Sequence, residues 1–207
     1  MAHQIVTMLS YPRAASVFLL NCLQYGLKTE NTNWGKGIKD IKDKLTPINF
    51  KNNTYIYKAH QPARSVDRIC FDQSGAYAAY IVLILRDPKE VLTRGGEGFE
   101  APHIASYCGL LNYWARSPNK KTLVYYDDII KDPCGVIEAL VKEINPASVP
   151  DIKTLKLNIE NIRQETLKIH PPSAKKKEST TAQRGHLEKY AKMYTTDNFK
   201  YLERYFK

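Results

Sequence analysis

The run Ile81-Val82-Leu83-Ile84-Leu85 restricts the fold more than any other feature of this chain. It has no polar alternation, so both faces of such a strand must be buried. That is the situation of a central parallel strand with helices packed on either side. The run ends in Arg86-Asp87-Pro88. A charge is thus delivered to the strand's carboxyl end, and Pro88 suits the first turn of a following helix. Residues 4–10 (QIVTMLS) read as another strand, and over 15–27 the residues Val17, Leu20, Leu23 and Leu27 recur at helical spacing. Residues 54–58 and 122–126 are further strands, and 101–116 and 134–144 are helices. A short helix is expected over 37–45 and a closing one over about 196–206. Asp127-Asp128 can cap the segment after the strand at 122–126. Residues 146–160 read as a Pro-flanked connection with one weak helix.

Strands alternating with helices predict one α/β domain over residues 1–207, with a central parallel sheet flanked by helices. Ligands then bind at the carboxyl ends of the strands. The Pro/Ser/Thr-rich basic stretch 170–183 predicts a mobile loop.

The formal net charge is +10, which suits a polyanionic partner such as a nucleotide, nucleic acid or sulfated polymer. The basic residues are spread along the chain, and no helix-turn-helix, zinc or aromatic RNA motif accompanies them, so nucleic acid is not the expected partner. Cys22, Cys70, Cys108 and Cys134 form no CxxC pair and no zinc spacing, so no metal is expected. Free thiols and a reducing compartment are expected instead. No apolar run approaches the ~20 residues of a membrane span. The expectation is a soluble, cytoplasmic protein.

Three strand ends carry the chemistry. In Tyr11-Pro12-Arg13-Ala14-Ala15-Ser16-Val17-Phe18, the small residues Ala14, Ala15 and Ser16 let backbone N–H groups approach an anion, and the following helix points its positive end at it. Arg13 adds charge and Ser16 a hydroxyl. Lys58 and His60 lie two residues apart at another strand end, so alternation puts both on one face, an anion clamp beside a proton acceptor. Arg86 can meet a second anion. A ligand with two separated anionic groups fits this arrangement.

In this order the segments resemble the sulfotransferases that use 3′-phosphoadenosine 5′-phosphosulfate (PAPS) and release adenosine 3′,5′-bisphosphate (PAP). Residues 11–18 follow the frame of the family's Tyr-Pro-Lys/Arg-Ser-Gly-Thr/Asn-Thr-Trp motif. Lys58-Ala59-His60-Gln61-Pro62 is similar to its lysine-x-histidine-x-proline strand end, and Arg86-Asp87-Pro88-Lys89-Glu90-Val91 to its 3′-phosphate motif. Tyr126-Asp127-Asp128 resembles its Tyr-Glu-Asp, and Arg184-Gly185 with Thr195 holds the spacing of its last motif.

The resemblance implies a P-loop-like 5′-phosphosulfate loop, with PAPS as co-substrate and no metal. Arg13 would sit against the sulfuryl group. Ala14, Ala15, Ser16 and Val17 would line the 5′-phosphate, the first three holding it through backbone amides and the Ser16 hydroxyl. Lys58 would contact the sulfuryl or 5′-phosphate oxygens, and His60 would be the general base. Arg86 would clamp the 3′-phosphate with Arg184 and the Gly185 amide. Phe18 and Tyr126 would pack on or near the adenine. The chain departs from the motifs in places. Ala14 and Ala15 replace serine and glycine, Val17 replaces a hydroxyl donor, and Phe18 replaces tryptophan. Arg94 stands where a serine is usual and would bear on the 3′-phosphate.

The acceptor, a small molecule or glycan carrying a hydroxyl or amine, is unspecified by sequence, as is the oligomeric state. Trp34, residues 95–99, His103, Tyr107 and Lys175–Lys177 are candidate pocket walls. Two other classes stay open: a P-loop-type nucleotide kinase, for which the loop lacks GxxxxGK[ST], and a non-catalytic polyanion or nucleic-acid binder. A sulfotransferase fold without activity is a third.

Overall fold

The apolar run lies inside β3 (Tyr77–Leu85), where Ile81, Val82 and Leu83 are completely buried. The computed structural model describes residues 3–12, 14–27, 54–60, 77–88, 91 and 101–169. β1 (His3–Ser10) pairs with β3 on one side and with β2 (Thr54–Ala59) on the other. β4 (Lys120–Tyr125) pairs with β3. All these pairings are parallel, and the sheet order is β2-β1-β3-β4.

Parallel neighbours need a crossover, and here helices supply it. α1 (Ser16–Leu27) leads from β1 toward β2, and α2 (Ala101–Arg116) leads from β3 to β4. The two crossovers run in opposite directions along the sheet. Right-handed connections then place their helices on opposite faces. The packing agrees. Val6, Met8, Val82 and Ile84 form one core with Leu19, Leu20 and Leu23 of α1. Leu9, Ile81, Leu83 and Leu85 alternate with them, are equally buried, and face the other way, where α2 packs on β3.

After β4 the chain differs from the sequence expectation in two places. Tyr126 opens a short helix, α3 (Tyr126–Lys131), rather than closing the strand, and Asp127 and Asp128 fall inside its first turn. Acidic residues are favourable there because they face the helix's positive end. The cap of α4 (Pro133–Ile144) is Asp132, whose carboxylate accepts from the Gly135 amide at 2.9 Å, with Pro133 at the first position. The second difference is α5 (Ile152–Ile169), which occupies the stretch expected to be mostly connection and continues beyond it. Leu155 and Ile162 of α5 are buried in the α1–α4 core, with Ile152 and Ile159 packed against it. The expected helices at 37–45 and 196–206 and the loop at 170–183 lie outside the described residues.

Candidate active site

The order β2-β1-β3-β4 fixes where a ligand can bind. Connections leave β1 toward β2 and leave β3 toward β4, so the segments that follow the two strands part in opposite directions, the position of the ligand crevice in open α/β sheets. The loop 11–15 leaves one lip of this crevice and Arg86 stands on the other. Ser10 is paired with Ile84, so the two exits are level.

On the β1 lip, Tyr11, Ala14 and Ser16 are buried, and Ala15 has φ 56°. A left-handed residue immediately before a helix turns the chain sharply enough to aim successive amides into one concavity, as in anion-binding nests. The Leu19 amide bonds to the Ala15 carbonyl at 3.0 Å. The amides of Ser16, Val17 and Phe18 precede that bond and, as in any first turn, lack carbonyl partners within the helix. The first turn of α1 contains no acidic residue. This end of the helix therefore presents positive potential and donors together.

Phe18, which the resemblance puts on or near the adenine, lies two residues into α1. It is 5% exposed, belongs to the core, and the Arg163 guanidinium of α5 lies 5.7 Å from its ring centroid.

On the β3 lip, Arg86 is buried, and its guanidinium lies 3.7 Å from the centroid of the Tyr126 ring. Stacking on an aromatic face gives a guanidinium a fixed plane while leaving its N–H fork at the edges. The Arg86 carbonyl accepts a hydrogen bond from the Tyr107 hydroxyl at 2.7 Å. Tyr107, expected as an acceptor-pocket wall, is instead 2% exposed, and its ring packs at 47° against Tyr11 with centroids 5.5 Å apart. Sequence reasoning misses this bracing role because the contacts with Tyr11 and Arg86 come from segments far away in the chain.

Beside the β1 lip, β2 delivers Lys58 and His60 to the same edge. Their side chains meet, as strand alternation predicts: Lys58 Nζ is 2.9 Å from His60 Nε2. His60 Nδ1 lies 3.0 Å from the Ser10 carbonyl. A carbonyl only accepts, so Nδ1 carries the proton and Nε2 holds the lone pair that accepts from Lys58. Burial lowers the pKa of Lys58 from its ordinary value. His60 is exposed and so open to a second reactant.

The structure thus brings Ala14, Ala15, Ser16, Val17, Lys58, His60, Arg86 and Tyr126 to one edge of one sheet. Arg13, Arg94, Arg184 and Gly185 lie outside the described residues. Among those described, no group of three or more His, Cys, Asp or Glu side chains is placed to hold a metal ion, and no helix is long and apolar enough to cross a membrane.

The chain is a parallel α/β protein with an amide-lined turn at the β1 end and a planar cation at the β3 end, features suited to an anionic ligand. Comparison with solved structures narrows this. The chain is similar to the mouse sulfotransferase SULT7A1 complexed with PAP, with a TM-score of 0.51 and 14% identity over 75% of this chain and 63% of that one. It also matches a sulfotransferase from Alicyclobacillus acidocaldarius at 11% identity and a TM-score of 0.43, over 89% of this chain and 100% of the other. No family model and no curated sequence matches. The chain spans less than two thirds of the mouse protein's length. It has the α/β fold of the sulfotransferases.

Proposed function

We propose that the protein is a sulfotransferase that moves a sulfuryl group from PAPS to a hydroxyl or amine of a small-molecule or glycan acceptor. The observation that carries this reading is the amide-lined turn after β1 and the stacked Arg86 after β3, with a lysine–histidine pair beside them. A nucleotide with phosphates on both its 5′ and 3′ carbons has the two-ended charge such a crevice suits.

In this reading the amides at the start of α1 and the Ser16 hydroxyl hold the 5′ end. Arg86, planed by Tyr126, holds the 3′-phosphate. The Nδ1–H bond to the Ser10 carbonyl keeps His60 in the tautomer whose Nε2 takes the acceptor's proton as attack proceeds. Lys58 occupies Nε2 in the structure. An anionic sulfuryl group attracts an ammonium more strongly than a neutral imidazole does, so Lys58 turns to it and leaves Nε2 to the acceptor. Charge developing on the leaving phosphate meets the helix end and Lys58 already in place. The resemblance adds Arg13 at the sulfuryl group and Arg94, Arg184 and Gly185 at the 3′ end.

The test is calorimetric binding of PAP in magnesium-free buffer against adenosine 5′-monophosphate and ATP. Selective binding of PAP is expected. A preference for ATP with magnesium, or no nucleotide binding, overturns the reading in favour of a kinase or a polyanion binder.

A further inference from the structure

Tyr107 touches both lips of the crevice, although it belongs to neither. Its ring packs on Tyr11, the first residue beyond β1, and its hydroxyl donates to the carbonyl of Arg86, the first residue beyond β3. Across parallel strands, ladder hydrogen bonds fix the distance between neighbours only as far as pairing extends. Pairing between β1 and β3 ends at Ser10 and Ile84, so both subsites lie just past it. Beyond that point no β1–β3 ladder bond ties the lips together, and Tyr107, held almost fully buried on α2, bridges them.

We propose that Tyr107 is a positioning residue that sets the distance and orientation of the Arg86 subsite relative to the loop at 11–16, and so supplies selectivity for a nucleotide carrying a 3′-phosphate. This rests on the donor reading above. Tyr107 touches no reacting atom. Its hydroxyl fixes the backbone of Arg86, while the Tyr126 ring fixes the guanidinium plane. Losing the hydroxyl frees the first of these restraints. The bond is buried and neutral, so its loss is expected to weaken a ligand that uses Arg86 about five- to tenfold. A ligand that uses only the β1 lip should not notice.

Tyr107→Phe keeps the ring on Tyr11 and deletes the hydroxyl. Calorimetry with PAP and adenosine 5′-monophosphate, on wild type and variant with thermal melts alongside, separates the outcomes. The expected result is a five- to tenfold loss for PAP with the monophosphate within twofold of wild type. An unchanged PAP-to-monophosphate ratio in the variant, or equal losses for both ligands, overturns the positioning role while leaving the donor reading intact. A wild type that does not distinguish the two ligands overturns the donor reading and the inference together. If Tyr107→Phe does not fold, Tyr11→Leu reads the bridge from the other lip. PAP should then weaken more than the monophosphate, and an unchanged PAP-to-monophosphate ratio overturns the proposal.

Discussion

Ala15 is in a conformation that a Cβ disfavours. At φ 56° an alanine sacrifices about 1 kcal/mol that a glycine would keep, because its Cβ crowds the following carbonyl. Ala15→Gly is therefore expected to raise unfolding stability by about 1 kcal/mol, read as a shift in urea midpoint at constant slope, and to leave PAP affinity within a few-fold. Ala15→Val should lower it. The sequence reveals the small-residue loop but not its strain, since alanine at a left-handed position looks like alanine anywhere else. His60 is the opposite case. Its partnership with Lys58 follows from strand alternation, whereas its bond to Ser10 depends on β2 lying beside β1, which only the tertiary fold creates. Removing it should hurt chemistry rather than donor binding: His60→Ala is expected to lower turnover by about two to four orders of magnitude with PAP binding retained. Near-normal turnover in that variant contradicts the base assignment.

The helices α1 and α4 approach each other at Gly26. A Cβ there would meet Ile137 Cγ2 at 2.7 Å and Val141 Cγ2 at 3.1 Å, both on the buried face of α4. Gly26→Ala must push two β-branched core residues aside, and a cost of about 1–3 kcal/mol is expected by urea denaturation. A neutral or stabilised variant would show that α4 yields easily. The elements themselves are legible to different degrees. β3 and α1 announce themselves through an unbroken apolar run and a clear helical stripe. α5 does not, because Leu155, Ile159 and Ile162 are spaced among lysines, glutamates and asparagines that dilute the apolar signal. Those same lysines and glutamates are good helix formers, and summing propensity rather than hydrophobicity would find it. Asp132 as the cap of α4 is hidden by the nearer pair Asp127-Asp128, which are equally plausible capping residues until Pro133 fixes the start of the helix.

At the scale of the whole molecule, burial of thiols ties stability to alkaline pH. Cys22 is fully buried, and burial chiefly, with Cys134 close by, pushes its pKa from 9.0 up to about 12. The unfolded chain loses this proton near pH 9 and the folded one keeps it. The contribution is thus complete below pH 9 and is lost progressively as pH rises toward 12. Lys58 acts the other way, because its lowered pKa makes the folded state the weaker proton binder below 10.5. Cys22→Ala should flatten the fall in unfolding free energy between pH 7 and pH 10 by about 1 kcal/mol relative to wild type, whatever its effect at pH 7. An unaltered pH slope would remove Cys22 as its source. In the folded protein Cys22, Cys108 and Cys134 should also resist iodoacetamide at pH 8, checked site by site by mass spectrometry, since all three are buried with raised pKa values.

β1 occupies the interior of the sheet, yet it leaves the ribosome before either of its partners. Those partners are Thr54–Ala59 on one edge and Tyr77–Leu85 on the other, so neither edge can be satisfied while only the earlier segment exists. A nascent chain that stops short of Tyr77 carries an apolar strand with at least one open side, the kind of surface that recruits chaperones or neighbouring chains. The loop that follows β1 leans on Tyr107 through Tyr11, and Tyr107 comes later still in the chain. Expressed as a short fragment, the same residues would lack both the neighbouring strands and that support.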